Sequence, residues 1–184
     1  MAAETIQVDL GYKAPDFKLL DTVSGELKSL DQLKGQKATV VMFICNHCPY
    51  VIHVYKELIR LANDYIPKGI GFIAISSNDV INYPADSPDK MQKFATSTKF
   101  PFPYLYDETQ SIAKAYHASC TPDFSVFDGQ LKCVYRGRMD AATPKNSEVN
   151  DGKDLRNVLE AILHEQPINA TQHPSIGCSI KWKQ

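Results

Sequence analysis

Apolar positions follow two rhythms along this chain. Residues 39–44, Thr-Val-Val-Met-Phe-Ile, are β-branched or apolar throughout, and residues 71–76, Gly-Phe-Ile-Ala-Ile-Ser, repeat that pattern. Such runs fit strands covered on both faces, because a strand with one wet face would alternate. Between them the period lengthens. Val51, Val54, Tyr55, Leu58, Leu61 and Ala62 fall at helical spacing and predict a helix over 50–65. Pro67 and Gly69 follow, where a helix is expected to stop.

Shorter elements flank this unit. Residues 17–20 and 26–30 enclose the turn-forming Asp21-Thr22-Val23-Ser24-Gly25 and predict a β-hairpin. Residues 29–33 predict one helical turn, and 34–37 a hydrophilic connector. The stretch 78–89 is turn-rich and contains Pro84 and Pro88. A second helix is predicted over 88–98, with Ser87 as N-cap and Met91, Phe94 and Ala95 on one side. A short strand over 103–107 and a short helix over 111–117 come next, then a hairpin of 124–127 and 132–136 around Asp128-Gly129. The last regular element is a helix over 153–164, striped by Leu155, Val158, Leu159, Ile162 and Leu163. The tail 166–184 carries Pro167, Pro174 and Gly177, with Ile180 and Trp182 as apolar surface for docking.

This order of hairpin, strand, helix, strand, helix, hairpin and helix describes an α/β fold with a central mixed sheet. The 184 residues, 43% of them hydrophobic, suit one domain over 1–184, with the tail 166–184 docked on it. Twenty basic residues oppose twenty-one acidic ones, for a formal net charge of -1, with no long block of either sign. That balance speaks against nucleic acid or a membrane surface as partner. The first residues, MAAETIQVDLGYKAPDF, have neither the basic nor the apolar region of a signal peptide. No apolar run approaches the roughly 18 residues of a membrane span. The expected location is the cytoplasm, where structural disulfides are uncommon.

In that setting the five cysteines, Cys45, Cys48, Cys120, Cys133 and Cys178, gain meaning. Only Cys45 and Cys48 are close in sequence, and such a pair points to redox or metal chemistry before a structural staple. They lie in Cys45-Asn46-His47-Cys48-Pro49, between a buried strand and a helix. A helix N-terminus offers unpaired N–H groups and the positive end of the macrodipole, and both favour a thiolate. The expectation is an exposed nucleophile at Cys45, its pKa depressed into the ~3.5–7.5 range of such motifs, and a resolving Cys48 carried into the helix. His47 is placed to bond to the Cys45 thiolate or to hold positive charge near it. Stabilising the thiolate makes the disulfide more oxidising. Pro49 lacks an N–H and suits the first helical turn.

The strand, Cys45-Asn46-His47-Cys48, the helix and a downstream Thr121-Pro122 before a hairpin together resemble the thioredoxin fold. The N-terminal hairpin and the inserted segment 78–98 are similar to the larger redoxins, the branch that includes the alkyl-hydroperoxide-reductase/thiol-specific-antioxidant group. More narrowly, "FICNHCPYV", "CTPDFSVFD" and "GCSIKW" resemble a group of bacterial thioredoxin-family proteins. The resemblance covers nearly the whole chain. It implies a cis peptide bond before Pro122, with Thr121 and Pro122 as the substrate-side loop against the dithiol. Asn46, by its position within the dithiol motif, is expected to frame that substrate side. Two departures stand out. Thioredoxin itself has an acidic residue six positions before its first cysteine, where this chain has Thr39. Peroxiredoxins place Pro-x-x-x-Thr/Ser-x-x-Cys around their reactive cysteine, and neither Cys45 nor Cys48 has that frame.

The expected activity is thiol–disulfide exchange through Cys45 and Cys48, tuned by His47, with protein or small-molecule disulfides as substrates. A dithiol reductant supplies the electrons, so no bound cofactor is required. An atypical thiol peroxidase stays open, with Cys120 or Cys178 joining the cycle. A copper-binding or redox-sensing module using the dithiol with His117 or His173 also stays open. A structural zinc site is not expected, because the four ligands it needs would call for a second paired motif. Cys133 reads as an inert strand residue and Arg136 as a residue framing the site, while Tyr50 and Phe124 read as packing residues near it.

Overall fold

The computed structural model describes residues 2–169 and 171–184; Met1 and Ala170 lie outside the described residues. A short β1 (Ala2–Glu4) precedes the hairpin of β2 (Lys18–Asp21) and β3 (Leu27–Ser29), and α1 (Leu30–Leu33) follows directly. Ser29 Oγ accepts from Gln32 N–H and the Gln32 side chain accepts from Ser29 N–H, a reciprocal cap that holds this single turn. Then come β4 (Ala38–Phe43), α2 (Pro49–Tyr65), β5 (Ile70–Ser76), α3 (Pro88–Thr98), β6 (Tyr104–Tyr106), α4 (Ser111–Ala115) and β7 (Cys120–Thr121). The hairpin of β8 (Asp123–Asp128) and β9 (Cys133–Gly137), α5 (Lys153–Leu163) and β10 (Ile176–Ser179) complete the chain.

Seven strands form a mixed sheet in the order β3-β2-β6-β5-β4-β8-β9. The neighbours β4–β5 and β5–β6 are parallel, and the other pairs are antiparallel. Alternate side chains of β4 explain why its sequence is apolar on both phases. Val40 and Met42 join Val51, Val54, Leu58 and Leu61 of α2 with Leu155 and Leu159 of α5, whereas Val41 and Phe43 join Phe17, Leu30 and Tyr116. Each such side chain contributes about 1.5–3 kcal/mol through burial, so β4 is pinned in register between two layers. Pro49 starts α2, and Gly69 at φ +89° closes the 3₁₀ turn Ile66–Lys68 that ends it.

Three strands lie apart from this sheet, in the order β1-β10-β7. Neither β1, β7 nor β10 has a sequence signal for a strand; each has two to four residues and forms only through its partners. The docking is close. A Cβ on Gly177 would sit 2.0 Å from the Thr121 carbonyl oxygen, so only glycine lets β10 approach β7 here. Ser175 anchors the approach by accepting from Thr5 N–H (3.0 Å) and by donating its hydroxyl to Gly137 O (2.8 Å). Beyond β10 the tail is held by Gln110, whose Nε2 donates to Lys181 O (2.8 Å) and whose Oε1 accepts from Lys183 N–H (2.8 Å). No helix among the described residues is long and apolar enough to cross a membrane.

Candidate active site

The parallel strand β4 ends at Phe43, and the next five residues turn the chain into α2. Cys48 is the N-cap of that helix, and Cys45 lies three residues before the cap, ahead of the helix. Opposite them, the Thr121–Pro122 peptide bond is cis, as the resemblance implies. Thr121 Oγ1 lies 3.3 Å from Cys45 Sγ, and the Cys48 thiol reaches Thr121 O at 3.1 Å. One residue therefore touches both sulfurs, one with its side chain and the other with its backbone.

The expectation of an exposed Cys45 with a lowered pKa is corrected by this geometry. Cys45 is 1% exposed and Cys48 is 0% exposed. The two thiols ionise as a pair that carries one charge, and that charge is drawn toward Cys48. The Cys45 thiol is its strongest support; burial opposes, and the Cys178 thiol with the Val51 and Cys178 amides adds further support, lowering Cys48 to about 4. Cys45 is pushed up, first because its thiol is held by Cys48, then by burial and by the negative charge of Asp86. The helix boundary adds to this: Cys48 is the N-cap and is supported by the Val51 amide of the first turn, whereas Cys45 lies ahead of the helix.

Asp86 gives no local signal in the sequence. It ends the 3₁₀ turn Pro84–Asp86 in the inserted segment and is 0% exposed. Its Oδ1 accepts from Asn46 N–H (2.8 Å), and its Oδ2 accepts from Asn78 Nδ2 (2.7 Å) and lies 2.7 Å from His47 Nδ1. His47 is thus held by Asp86 through one nitrogen, with its ring parallel to Tyr83 at 6.2 Å. A nitrogen of His47, an oxygen of Asp86 and Cys45 Sγ all lie within 4.8 Å of one another, and this group could hold a metal ion. His117 and His173 are not among its members.

Asn46, expected on the substrate side, has both ends of its side chain engaged within the chain. Its Nδ2 donates to Ala85 O (2.9 Å), and its Oδ1 accepts from Tyr104 OH (3.0 Å). These bonds tie the dithiol loop to the inserted segment. Cys120 is 0% exposed with its thiol facing the carbonyls of Pro122 (3.6 Å) and Ser175 (3.9 Å); burial and the charge of Asp123 raise it to about 12. Cys133 is likewise buried, and burial raises it to about 11. Arg136 is buried behind the loop, with Nη2 donating to Asp123 Oδ2 (3.0 Å) and Nη1 to Ser125 Oγ (3.0 Å). Beside Pro122 a cavity of about 250 Å³ is lined by Tyr50, Val54, Phe124, Met139 and Ile176 among others.

Cys178 is placed by strand register. It stands directly across from Thr121 in the antiparallel pair β10–β7, and its side chain packs against the cluster that includes Cys45 and Cys48. It is half-buried, and burial followed by its contact with Cys48 raises it to about 11.

Comparison with known proteins bears on the family and the fold. The AhpC/TSA family pattern matches residues 10–136. No curated protein matches the chain significantly. A crystal structure of an uncharacterized conserved protein from Geobacillus kaustophilus is 54% identical, with a TM-score of 0.98 over 100% of this chain and 97% of that one. A hypothetical protein from Sinorhizobium meliloti 1021 is 39% identical, with a TM-score of 0.95 over 98% of each chain. The thioredoxin domain of a thiol-disulfide oxidoreductase from Bacteroides vulgatus has a TM-score of 0.62 at 17% identity, covering 82% of this chain and 97% of that one. That last likeness shows a shared thioredoxin fold.

Proposed function

The chain belongs to the AhpC/TSA family, and on that premise we propose that it is a thiol–disulfide oxidoreductase working through Cys45 and Cys48. The observation that carries this reading is the contact of both sulfurs with Thr121, the residue before the cis proline, at 3.3 and 3.1 Å. Two neighbouring thiols that share one charge supply the nucleophile and the resolving group of a disulfide exchange.

Cys48, which holds the charge of the pair, attacks one sulfur of a substrate disulfide, and the other sulfur leaves as a thiolate. Cys45 then gives its proton to that leaving thiolate and attacks Cys48 in the mixed disulfide. The second substrate sulfur is released as a thiolate, the substrate is reduced by two electrons, and the protein holds a Cys45–Cys48 disulfide. A dithiol reductant reverses the oxidation. Thr121 steadies both sulfurs during this exchange, and the cavity beside Pro122 receives the substrate residues next to the disulfide. His47, held by Asp86, positions the loop between the cysteines, and the negative charge of Asp86 limits the charge that Cys45 can carry.

The test is an equilibrium titration of the reduced protein in glutathione buffers, with the cysteines mapped by alkylation and mass spectrometry. A single two-electron step linking Cys45 to Cys48, absent in Cys45→Ser and Cys48→Ser, is expected. A protein that forms no such link at any glutathione ratio refutes the reading. Stoichiometric consumption of hydrogen peroxide dependent on Cys45, without disulfide exchange, would replace it with a peroxidase.

A further inference from the structure

In the exchange described above, both reacting sulfurs are closed off from solvent, at 1% and 0% exposure. The chain's own tail contributes to that closure. Strand β10 pairs antiparallel with β7, placing Cys178 across from Thr121 and Ser179 across from Cys120. An extended segment lying along the residue before the proline, with a cysteine opposite that residue, is the arrangement a disulfide-bearing peptide would adopt on this edge. Here it is intramolecular. Thr121 O, which accepts from the Cys48 thiol, is also the atom that leaves no room for a side chain at Gly177, so the tail lies tight against the same carbonyl. The Cys178 side chain packs against the cluster that holds Cys45 and Cys48, and its thiol and backbone N–H favour the Cys48 thiolate. Of the three thiols around Thr121, Cys178 alone is half-exposed.

We propose that Cys178 is a third redox thiol, presented to Cys48 by β10 as a built-in substrate strand, and that it carries the disulfide from the closed Cys45–Cys48 pair to a protein dithiol outside. The proposal rests on the oxidoreductase reading and extends its route. In the transfer step the Cys178 thiolate attacks Cys48 Sγ of the Cys45–Cys48 disulfide. The Cys45–Cys48 bond breaks, a Cys48–Cys178 bond forms, and Cys45 leaves as a thiolate that takes up the proton Cys178 lost. No electrons are gained or lost in this step. An external protein dithiol then attacks Cys178 at the accessible side, releasing Cys48 as its thiolate, and its second thiol displaces Cys178. The partner becomes a disulfide, and all three cysteines are reduced. Cys120 takes no part, because alternation along β7 turns it to the opposite face.

The test uses the full chain and its Cys45→Ser, Cys178→Ser and Cys120→Ser variants, oxidised in glutathione buffer and mapped by mass spectrometry. Cys45→Ser is expected to form an intramolecular Cys48–Cys178 disulfide. Cys178→Ser is expected to keep the Cys45–Cys48 disulfide but to be reduced by a bacterial thioredoxin roughly tenfold more slowly than the unaltered chain. Cys120→Ser should be reduced at the unaltered rate. The inference is overturned if Cys45→Ser holds only glutathione at Cys48, or if Cys178→Ser is reduced as fast as the unaltered chain. It is also overturned if Cys120→Ser slows reduction as much as Cys178→Ser, since the effect would then be one of packing. An unaltered chain that never links Cys45 to Cys48 overturns the oxidoreductase reading itself, and this inference with it.

Discussion

On one face of the β7–β10 ladder, Thr121 and Cys178 stand beside Cys45 and Cys48; on the other, Cys120 stands across from Ser179 and near the buried pair Asp123 and Arg136. Cys48 and Cys120 are equally buried, both 0% exposed, yet Cys48 is lowered to about 4 and Cys120 is raised to about 12. Burial alone raises a thiol, as it does at Cys120. The difference comes from the neighbours. At Cys120 burial and the charge of Asp123 outweigh the support of Thr5 and Ser119, whereas at Cys48 two thiols and two amides outweigh burial. At equal depth, the groups around each sulfur set the direction of its shift.

The largest expected effect falls on the inert face. Arg136→Met leaves Asp123 without its ion partner in a site where burial already raises that carboxyl to about 6. Urea unfolding should show a loss of about 3–5 kcal/mol, while the folded fraction keeps its thiolate absorbance at 240 nm. A loss below about 1 kcal/mol would mean that the pair does not hold this face together.

Next comes the reactive face. With Cys48→Ser, Cys45 loses its thiolate partner and returns toward an ordinary thiol with a pKa near 9.0 or above. At pH 7 the thiolate absorbance of the pair should fall about a hundredfold. In the unaltered reduced chain the absorbance should persist from pH 8 downward and disappear only near pH 4. Stability follows the same sign. The folded pKa of Cys48 lies below its ordinary 9.0, so between about 4 and 9 the unfolded chain binds the extra proton. Relative to Cys48→Ser, the reduced chain gains stability as pH rises through that window and loses the gain as pH falls through about 4. A flat difference between the two unfolding curves would place the charge elsewhere.

Two smaller changes act on the ladder itself. Gly177→Ala forces a methyl group against Thr121 O, at 2.0 Å in the unshifted chain. The expected loss is about 1–3 kcal/mol, together with slower formation of the Cys48–Cys178 link. Cys120→Ser should alter stability by about 1 kcal/mol or less and leave the 240 nm signal unchanged. If Cys120→Ser removed the signal, the contrast between the two faces would collapse.

Much of the frame was legible in the chain. The helix over 50–65 and the strands around residues 39–44 and 71–76 follow from local periodicity; the observed α2 and β5 differ from them by one residue at the start, and β4 by one residue at each end. The Thr121–Pro122 loop was legible through resemblance. By contrast, β1, β7 and β10 are too short to carry a period, and their pairing depends on residues far apart in the chain. Asp86 sits in a turn-rich insert where an acidic residue is unremarkable until Asn46, Asn78 and His47 converge on it. Asn46 could be placed beside the dithiol from its position, but not assigned its partners Ala85 and Tyr104.

By itself the sequence determined the two-sided core around β4 and the delivery of Cys45-Asn46-His47-Cys48 to a strand–helix junction, because periodicity and helix initiation are local properties. Only the tertiary structure decided that Cys48 holds the charge, that Asp86 holds His47, and that Cys178 arrives opposite Thr121. A thiolate is stabilised by the donors that surround it in space, and here those donors come from the helix start, the neighbouring thiol and a tail strand more than a hundred residues away in the chain.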